Sequence, residues 1–242
     1  MPAQRLDHAM VDRGLIETRQ KAQALIMAGE VLIDGRRAEK AGQMVSLDAQ
    51  IELTAKPKFV GRGGIKLEAA LQGFGIDATG SVCADFGSST GGFTDCLLQA
   101  GAARVHAIDV GSNQLDWRLR NDQRVIVHEG VNARYLEPAD LGEPVDLAVC
   151  DVSFISATLI LPAMTKVLKT PTGRIVVLVK PQFEVGKDQV GKGGIVRDPA
   201  LHKEACAKVR ACTEALGFET QLMESPITGA EGNKEFLLYG RR

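Results

Sequence analysis

The chain has 242 residues, 45% hydrophobic and 24% charged, with a formal net charge of -1. Such a length admits one or two domains around an ordinary core, and the near-neutral charge excludes a globally polycationic binder of nucleic acid. The charge is uneven: residues 1–66 carry 11 Lys/Arg against 8 Asp/Glu, and the remainder carries 18 against 22. A basic small part ahead of an acidic large part suggests a polyanion-binding arm on an enzyme, with chance asymmetry as the competing reading.

Residues 1–55 read as a small α/β domain. Leu6, Met10 and Val11 share a helical face that Gly14 ends, and Thr18 caps a second helix whose apolar side is Ala22, Leu25 and Ile26. Val31 to Ile33 and a run from Val45 to Leu53 read as short strands, with Asp34-Gly35 as a tight turn. Arg5, Arg13, Arg19, Lys21, Arg36 and Arg37 fall near the helix starts and the turn, and with Arg62 form the expected RNA-binding set. The polar, Pro-containing stretch around 54–62 marks a linker, placed at 56–63, ahead of a second domain over 64–242.

From residue 81 apolar strands at 82–86, 104–109, 124–128, 145–150 and 174–179 alternate with helical stretches such as 92–100 and 156–169. A helix over 199–216 follows, and Phe218 to Glu224 and Glu235 to Tyr239 form a closing antiparallel pair. The fold class is therefore α/β: a Rossmann-like, mostly parallel seven-stranded sheet with helices on both faces. Residues 182–198, rich in Gly and Lys with few apolar anchors, read as a mobile active-site loop. The five cysteines are odd in number and form no Cys-x-x-Cys pair, so neither a disulfide framework nor a metal site is expected. Cys83 and Cys150 sit in apolar strands and read as buried thiols. Charges at the very start argue against a signal peptide, and no apolar run reaches a spanning length, so a cytoplasmic protein without a membrane partner is expected. Oligomeric state is not readable.

The turn Asp85-Phe86-Gly87-Ser88-Ser89-Thr90-Gly91-Gly92-Phe93 follows a buried strand and opens a helix, where glycines admit a ligand and free N–H groups await one. Its spacing is not the dinucleotide Gly-x-Gly-x-x-Gly. Asp85 would repel a pyrophosphate and suits a cation, such as the ammonium of S-adenosylmethionine. Asp109, followed by Val110 at the next strand end, suits the ribose hydroxyls of a nucleoside, and Asn132 suits its adenine. No cysteine follows a proline, and no Asn/Asp-Pro-Pro-aromatic motif follows the fourth strand, so two common methyl acceptors lack their marks. A ribose hydroxyl needs a base or a cation to favour its alkoxide. Lys180 and Asp151, at neighbouring strand ends, supply such a pair; a purely structural ion pair is the alternative.

The blocks Arg62 to Leu67, Asp85 to Asp95, Cys150 to Phe154, Lys180 to Glu184 and Gly232 to Phe236, taken in order, resemble the TlyA family. Arg5 to Asp7, Gly14-Leu15, Thr18-Arg19, Lys21-Ala22 and Gly29 to Gly35 resemble the RNA-binding domain first described in a small-subunit ribosomal protein. The resemblance implies an FtsJ-like catalytic domain whose Lys, Asp, Lys, Glu tetrad is Lys66, Asp151, Lys180 and Glu235, with S-adenosylmethionine as cofactor. It implies 2′-O-methylation of cytidine riboses in 16S and/or 23S ribosomal RNA, with ribosomal RNA or subunits as partner. On that reading Lys180 is the base or the alkoxide-stabilising cation, Lys66 supports the hydroxyl, and Asp151 and Glu235 position both. The family's hemolysin label leaves a membrane-lysing protein as one alternative, and a catalytically silent RNA-binding protein is another.

Overall fold

A strand buried on both faces needs apolar residues at nearly every position, and the runs from residue 82 onward meet that demand. In the computed structural model, which describes residues 3–54, 58–229 and 232–242, they form a seven-stranded sheet. The chain divides into two units, Met1–Lys58 and Phe59–Arg242.

The first unit holds β1 (Ala3–Arg5), α1 (Leu6–Asp12), α2 (Arg19–Ala28), β2 (Val31–Ile33), β3 (Arg36–Arg37), β4 (Met44–Ser46) and β5 (Ile51–Leu53). Thr18 caps α2 as expected, its Oγ1 accepting from Lys21 N at 3.3 Å. Leu6, Ala9 and Met10 are buried in α1, so the apolar stripe follows i, i+3, i+4 and leaves Val11 only half-buried. The run from Val45 to Leu53 is two strands rather than one. β4 pairs with β1 and β5 with β2, both antiparallel.

The second unit opens earlier than the linker reading proposed. Phe59 is 5% exposed in the core, and Val60 N donates to Asp95 Oδ2 at 2.8 Å. Gly63 already begins a helix, while residues 56 and 57 lie outside the described residues. Its elements are α3 (Gly63–Gly73), β6 (Val82–Phe86), α4 (Gly92–Gln99), β7 (Arg104–Asp109), α5 (Trp117–Arg120), β8 (Val125–Glu129), α6 (Pro138–Leu141), β9 (Leu147–Cys150), α7 (Leu161–Val167), β10 (Arg174–Val179), α8 (Pro181–Glu184), α9 (Pro199–Ala215), β11 (Glu219–Glu224) and β12 (Phe236–Arg241).

The strand order is β11-β12-β10-β9-β6-β7-β8, parallel except where β12 pairs with β10 and β11. Side chains alternate between two cores. Ala84, Phe86, Ala148, Cys150, Ile175 and Val177 pack with α7 and α9, whereas Cys83, Leu147, Val149, Val176 and Leu178 pack with α3 and α4. The expected helix over 156–169 is interrupted. Ser156 caps a 3-10 turn at Ala157–Leu159, and α7 then restarts with Pro162 in its first turn. Segment 182–198 carries two anchors that its composition concealed: Glu184 and Val196 are both buried, and Val196 N donates to Asn233 Oδ1 at 3.0 Å. Among the described residues, no helix is long and apolar enough to cross a membrane.

Burial pushes the Cys83 and Cys150 thiols up to about 12, and it raises half-buried Cys212 as well. Alkylation of the native protein at pH 8, mapped by peptide mass, is therefore expected to reach Cys212 first. Cys83 and Cys150 should be modified only after denaturation.

Candidate active site

The pleat decides which strand-end residues can meet. Leu147 and Val149 of β9, and Val176 and Leu178 of β10, enter the core under α3 and α4. The next residues in phase, Asp151 and Lys180, therefore emerge on that same face. Leu237 and Tyr239 of β12 enter it too, which brings Glu235 into phase. Val179 lies opposite Phe236, and that antiparallel register, continued one step, sets Lys180 beside Glu235. α3 covers this face with Leu67, Ala70 and Leu71, and it buries Lys66 as well.

The four residues form two ion pairs. Lys66 Nζ pairs with Glu235 Oε2, with both residues buried. Lys180 Nζ lies 2.6 Å from Asp151 Oδ1 and donates to Ser153 Oγ at 2.7 Å. A Cβ on Gly63 would stand 3.5 Å from Asp151 Oδ2, so the start of α3 abuts that carboxylate, a favourable placement for negative charge.

A cavity of about 470 Å³ opens where strand order reverses around β6. Gly87, Ser89, Asp109, Val110, Asn132 and Asp151 line it, together with Gln114 and Phe154. Asp109 is held rigidly: Oδ2 accepts from Ser89 N at 2.8 Å and Oδ1 from Gly111 N at 2.7 Å. A second cavity, of about 170 Å³, is lined by Ser88, Thr90, Gly92, Phe93, Arg62 and Lys180, and shares Gly87, Ser89 and Asp151 with the first. A third, of about 300 Å³, has Ser153, Phe154, Lys180, Gln182, Phe183 and Asn233 in its wall. Gly87 is required here: its φ is 84°, and a Cβ would come within 2.9 Å of the Asp151 carbonyl oxygen.

Two expected cofactor residues line none of these cavities. Gly91, at φ 97°, shapes the turn, and a Cβ there would strike Leu119 and Leu115. Asp85 is wholly buried beneath the turn, accepting from Thr94 Oγ1 at 2.7 Å on Oδ2 while Oδ1 has no partner. Burial pushes its carboxyl up to about 7; the Thr94 hydrogen bond opposes this, and the negative charges of Asp151 and Asp109 add to it.

Sequence reading missed three contributors. Ser153 and Phe154 lie in the quoted Cys150-to-Phe154 block without an assigned role. Phe154 is 92% exposed, has φ 66° and stands 5.4 Å from the Phe183 ring. An aromatic in this strained region, bare to solvent, is the kind of residue that a site retains for contact with a ligand. Glu184, buried, accepts from Ala157 N at 2.6 Å and Ser156 Oγ at 2.5 Å and pairs with Lys208 at 3.2 Å. It thereby ties the 151–157 loop to the end of β10.

In the first unit the expected basic residues are more occupied than exposed charge suggested. Arg5 and Arg19 both pair with buried Asp7, whose carboxyl the Arg5 hydrogen bonds hold well below the usual range. Arg13 donates to the carbonyls of Ala49, Ser46 and Leu47, and Arg37 to Gly29 O. Lys21 pairs with Glu17, and Arg36 is exposed beside the Asp34-Gly35 turn. Arg62 stands apart from this set: it lines the second cavity and donates to Thr228 O at 2.6 Å. No group of three or more His, Cys, Asp or Glu among the described residues is arranged to hold a metal.

Removing one member of a buried pair strands the other. Lys66→Met should lower the unfolding free energy by about 3–5 kcal/mol, and adding Glu235→Leu should recover much of that loss, as measured by urea unfolding. Asp85 has the opposite pH signature to a salt-bridged acid. Its folded value lies above its unfolded value, so the folded state binds more protons between about pH 4 and 7 and loses stability as pH rises through that window. Asp85→Asn should therefore raise the melting temperature of the ligand-free protein at pH 8 and leave it little changed at pH 4.

Residues 59–242 match the family model for FtsJ-like methyltransferases, and residues 4–51 match the S4 domain. The chain is 48% identical over 240 residues to YqxC of Bacillus subtilis (strain 168), provisionally named an rRNA methyltransferase, covering 98% of this chain and 85% of that one. It is 46% identical over 240 residues to the 16S/23S rRNA (cytidine-2′-O)-methyltransferase TlyA of Mycobacterium tuberculosis (strain ATCC 25618 / H37Rv), covering 98% and 89%. A solved structure from Streptococcus thermophilus, provisionally labelled a hemolysin, superposes with a TM-score of 0.76 at 44% identity, covering all of this chain and 89% of that one. With a Lys/Asp/Lys/Glu set at the open end of its sheet and an S4 domain ahead of it, the chain belongs to the TlyA family of FtsJ-like methyltransferases.

Proposed function

We propose that this protein uses S-adenosylmethionine to methylate the ribose 2′-hydroxyl of a cytidine in 16S or 23S ribosomal RNA, in the cytoplasm. The observation that carries this reading is the place of Lys180: its ammonium, beside Asp151 and Ser153, lines both a cavity of the Gly-rich turn and the outer cavity under Phe154. Cytidine and ribosomal RNA enter through the activity named for the TlyA relative and through the S4 domain.

The residues present fit the cofactor. Asp109 would take the ribose hydroxyls, Asn132 and Val110 would border the adenine, and the turn from Gly87 to Phe93 would meet the amino-acid part. The carboxylates of Asp109 and Asp151 line the first cavity, where negative charge suits a cationic ligand, whereas Asp85 lies buried beneath the turn. When bound, the sulfonium supplies an electrophilic methyl group. Lys180 Nζ, once in its neutral form, would take the hydroxyl proton while the methyl passes from sulfur to the ribose oxygen and the sulfonium leaves as a neutral thioether, and Asp151 would hold the resulting ammonium. Phe154 offers its exposed face to the base of the target nucleotide. Lys66 lines none of the three cavities, so it orders Glu235 and the strand end rather than meeting the hydroxyl.

Lys180→Ala should lose methyl transfer by about 100-fold or more while retaining cofactor affinity. Labelled methyl donor with separated ribosomal subunits measures turnover, calorimetry measures cofactor binding, and primer extension at low nucleotide concentration locates the ribose. Near-normal turnover in that variant would remove Lys180 from its role. Release of dye from lipid vesicles by the wild-type protein, undiminished in Asp109→Ala, would favour the lytic reading instead.

A further inference from the structure

Lys180 has two oxygen partners, and they are not equivalent. Asp151 Oδ1 is close, at 2.6 Å, yet it is met outside hydrogen-bond geometry. Its attraction therefore holds the charge without fixing the direction of any N–H bond. Ser153 Oγ, at 2.7 Å, is met with hydrogen-bond geometry. The Lys amine is a three-fold rotor about its Cε–Nζ bond, and only a directional partner sets which way the remaining substituents point. Ser153 also lines all three cavities around the site, so its hydroxyl sits where they converge.

We infer that Ser153 is a positioning residue for Lys180. By accepting one N–H, it orients the amine so that the lone pair of the neutral form, or the third N–H of the ammonium, faces the substrate hydroxyl. The inference rests on the reading of Lys180 as the group that receives the hydroxyl proton. The chain supports this placement from both sides. Asp151 N donates to Phe86 O at 3.0 Å on one side, and Glu184 clamps Ser156 and Ala157 on the other, so the loop carrying Ser153 is held at both ends of its short span. A misdirected amine costs rate, whereas on the proposed reading cofactor affinity rests on Asp109, Asn132 and the turn from Gly87 to Phe93.

The test compares Ser153→Ala and Ser153→Thr with the wild-type protein. Ser153 is exposed, so neither change opens a core. S153A should lower kcat about 10- to 100-fold with the KM for the methyl donor unchanged, and S153T, which keeps the hydroxyl, should restore most of the rate. Crystal structures of the two variants should show Lys180 in more than one rotamer in S153A and in a single rotamer in S153T. A wild-type kcat in S153A would overturn the inference, as would a loss confined to donor KM or a Lys180 side chain unmoved in the S153A crystal. Absence of ribose methylation by the wild-type protein would instead overturn the functional reading, and the crystal structures would still decide whether Ser153 orders Lys180.

Discussion

The site depends on the two-residue period of a sheet buried on both faces. Along β9, β10 and β12 every second side chain enters the core beneath α3 and α4. At the open end of the sheet that phase does not stop; it runs on into residues no longer sandwiched between helices. There a charge is tolerated, and Asp151, Lys180 and Glu235 occupy the first such positions on that face. A slip of one residue in any of these strands would send its charge to the opposite core, where nothing could pair with it. Packing register and catalytic geometry are thus one constraint.

The two ion pairs answer that constraint differently. Lys66 and Glu235 are both nearly solvent-free, so each is tolerated only because the other is present. Such a pair is a poor source of stability but a strong lock on arrangement: it fixes the phase of α3 against β12. Lys180 and Asp151 border cavities instead, and an amine that faces open space can exchange a proton with what enters it. The proposed division of labour between the lysines, which sequence could not decide, rests on this difference in surroundings.

Asp151 and Lys180 were legible because each is the first polar residue after an unbroken apolar strand. Lys66 and Glu235 were not, because the rotation of α3 about its axis and the antiparallel register of β12 are tertiary facts; family resemblance supplied them. Asp85 was placed at the ligand because it adjoins a Gly-rich turn, yet its strand phase is that of Cys83, which points into the core, and its carboxyl goes there too. Glu184 and Phe154 misled composition in opposite ways. A buried carboxylate with three partner residues reads as part of a solvated loop, and an exposed aromatic reads as core. Charge on the first unit misled similarly, since Arg5 and Arg19 converge on one buried aspartate.

The charge difference read over residues 1–66 narrows when counted by unit, because Arg62 and Lys66 belong to the second. Carboxylates of Asp109 and Asp151 beside one turn favour a cation over a phosphate there. Residues 59–242 carry 20 Lys/Arg against 22 Asp/Glu and residues 1–58 carry 9 against 8, so the two units differ only slightly in net charge and local arrangement matters more. The guanidinium groups of Arg5 and Arg19 are half-exposed although paired, so Asp7 neutralises only part of their charge while holding them in fixed positions. Arginines pre-ordered by a buried acid lose less conformational entropy on meeting a phosphate than free ones do.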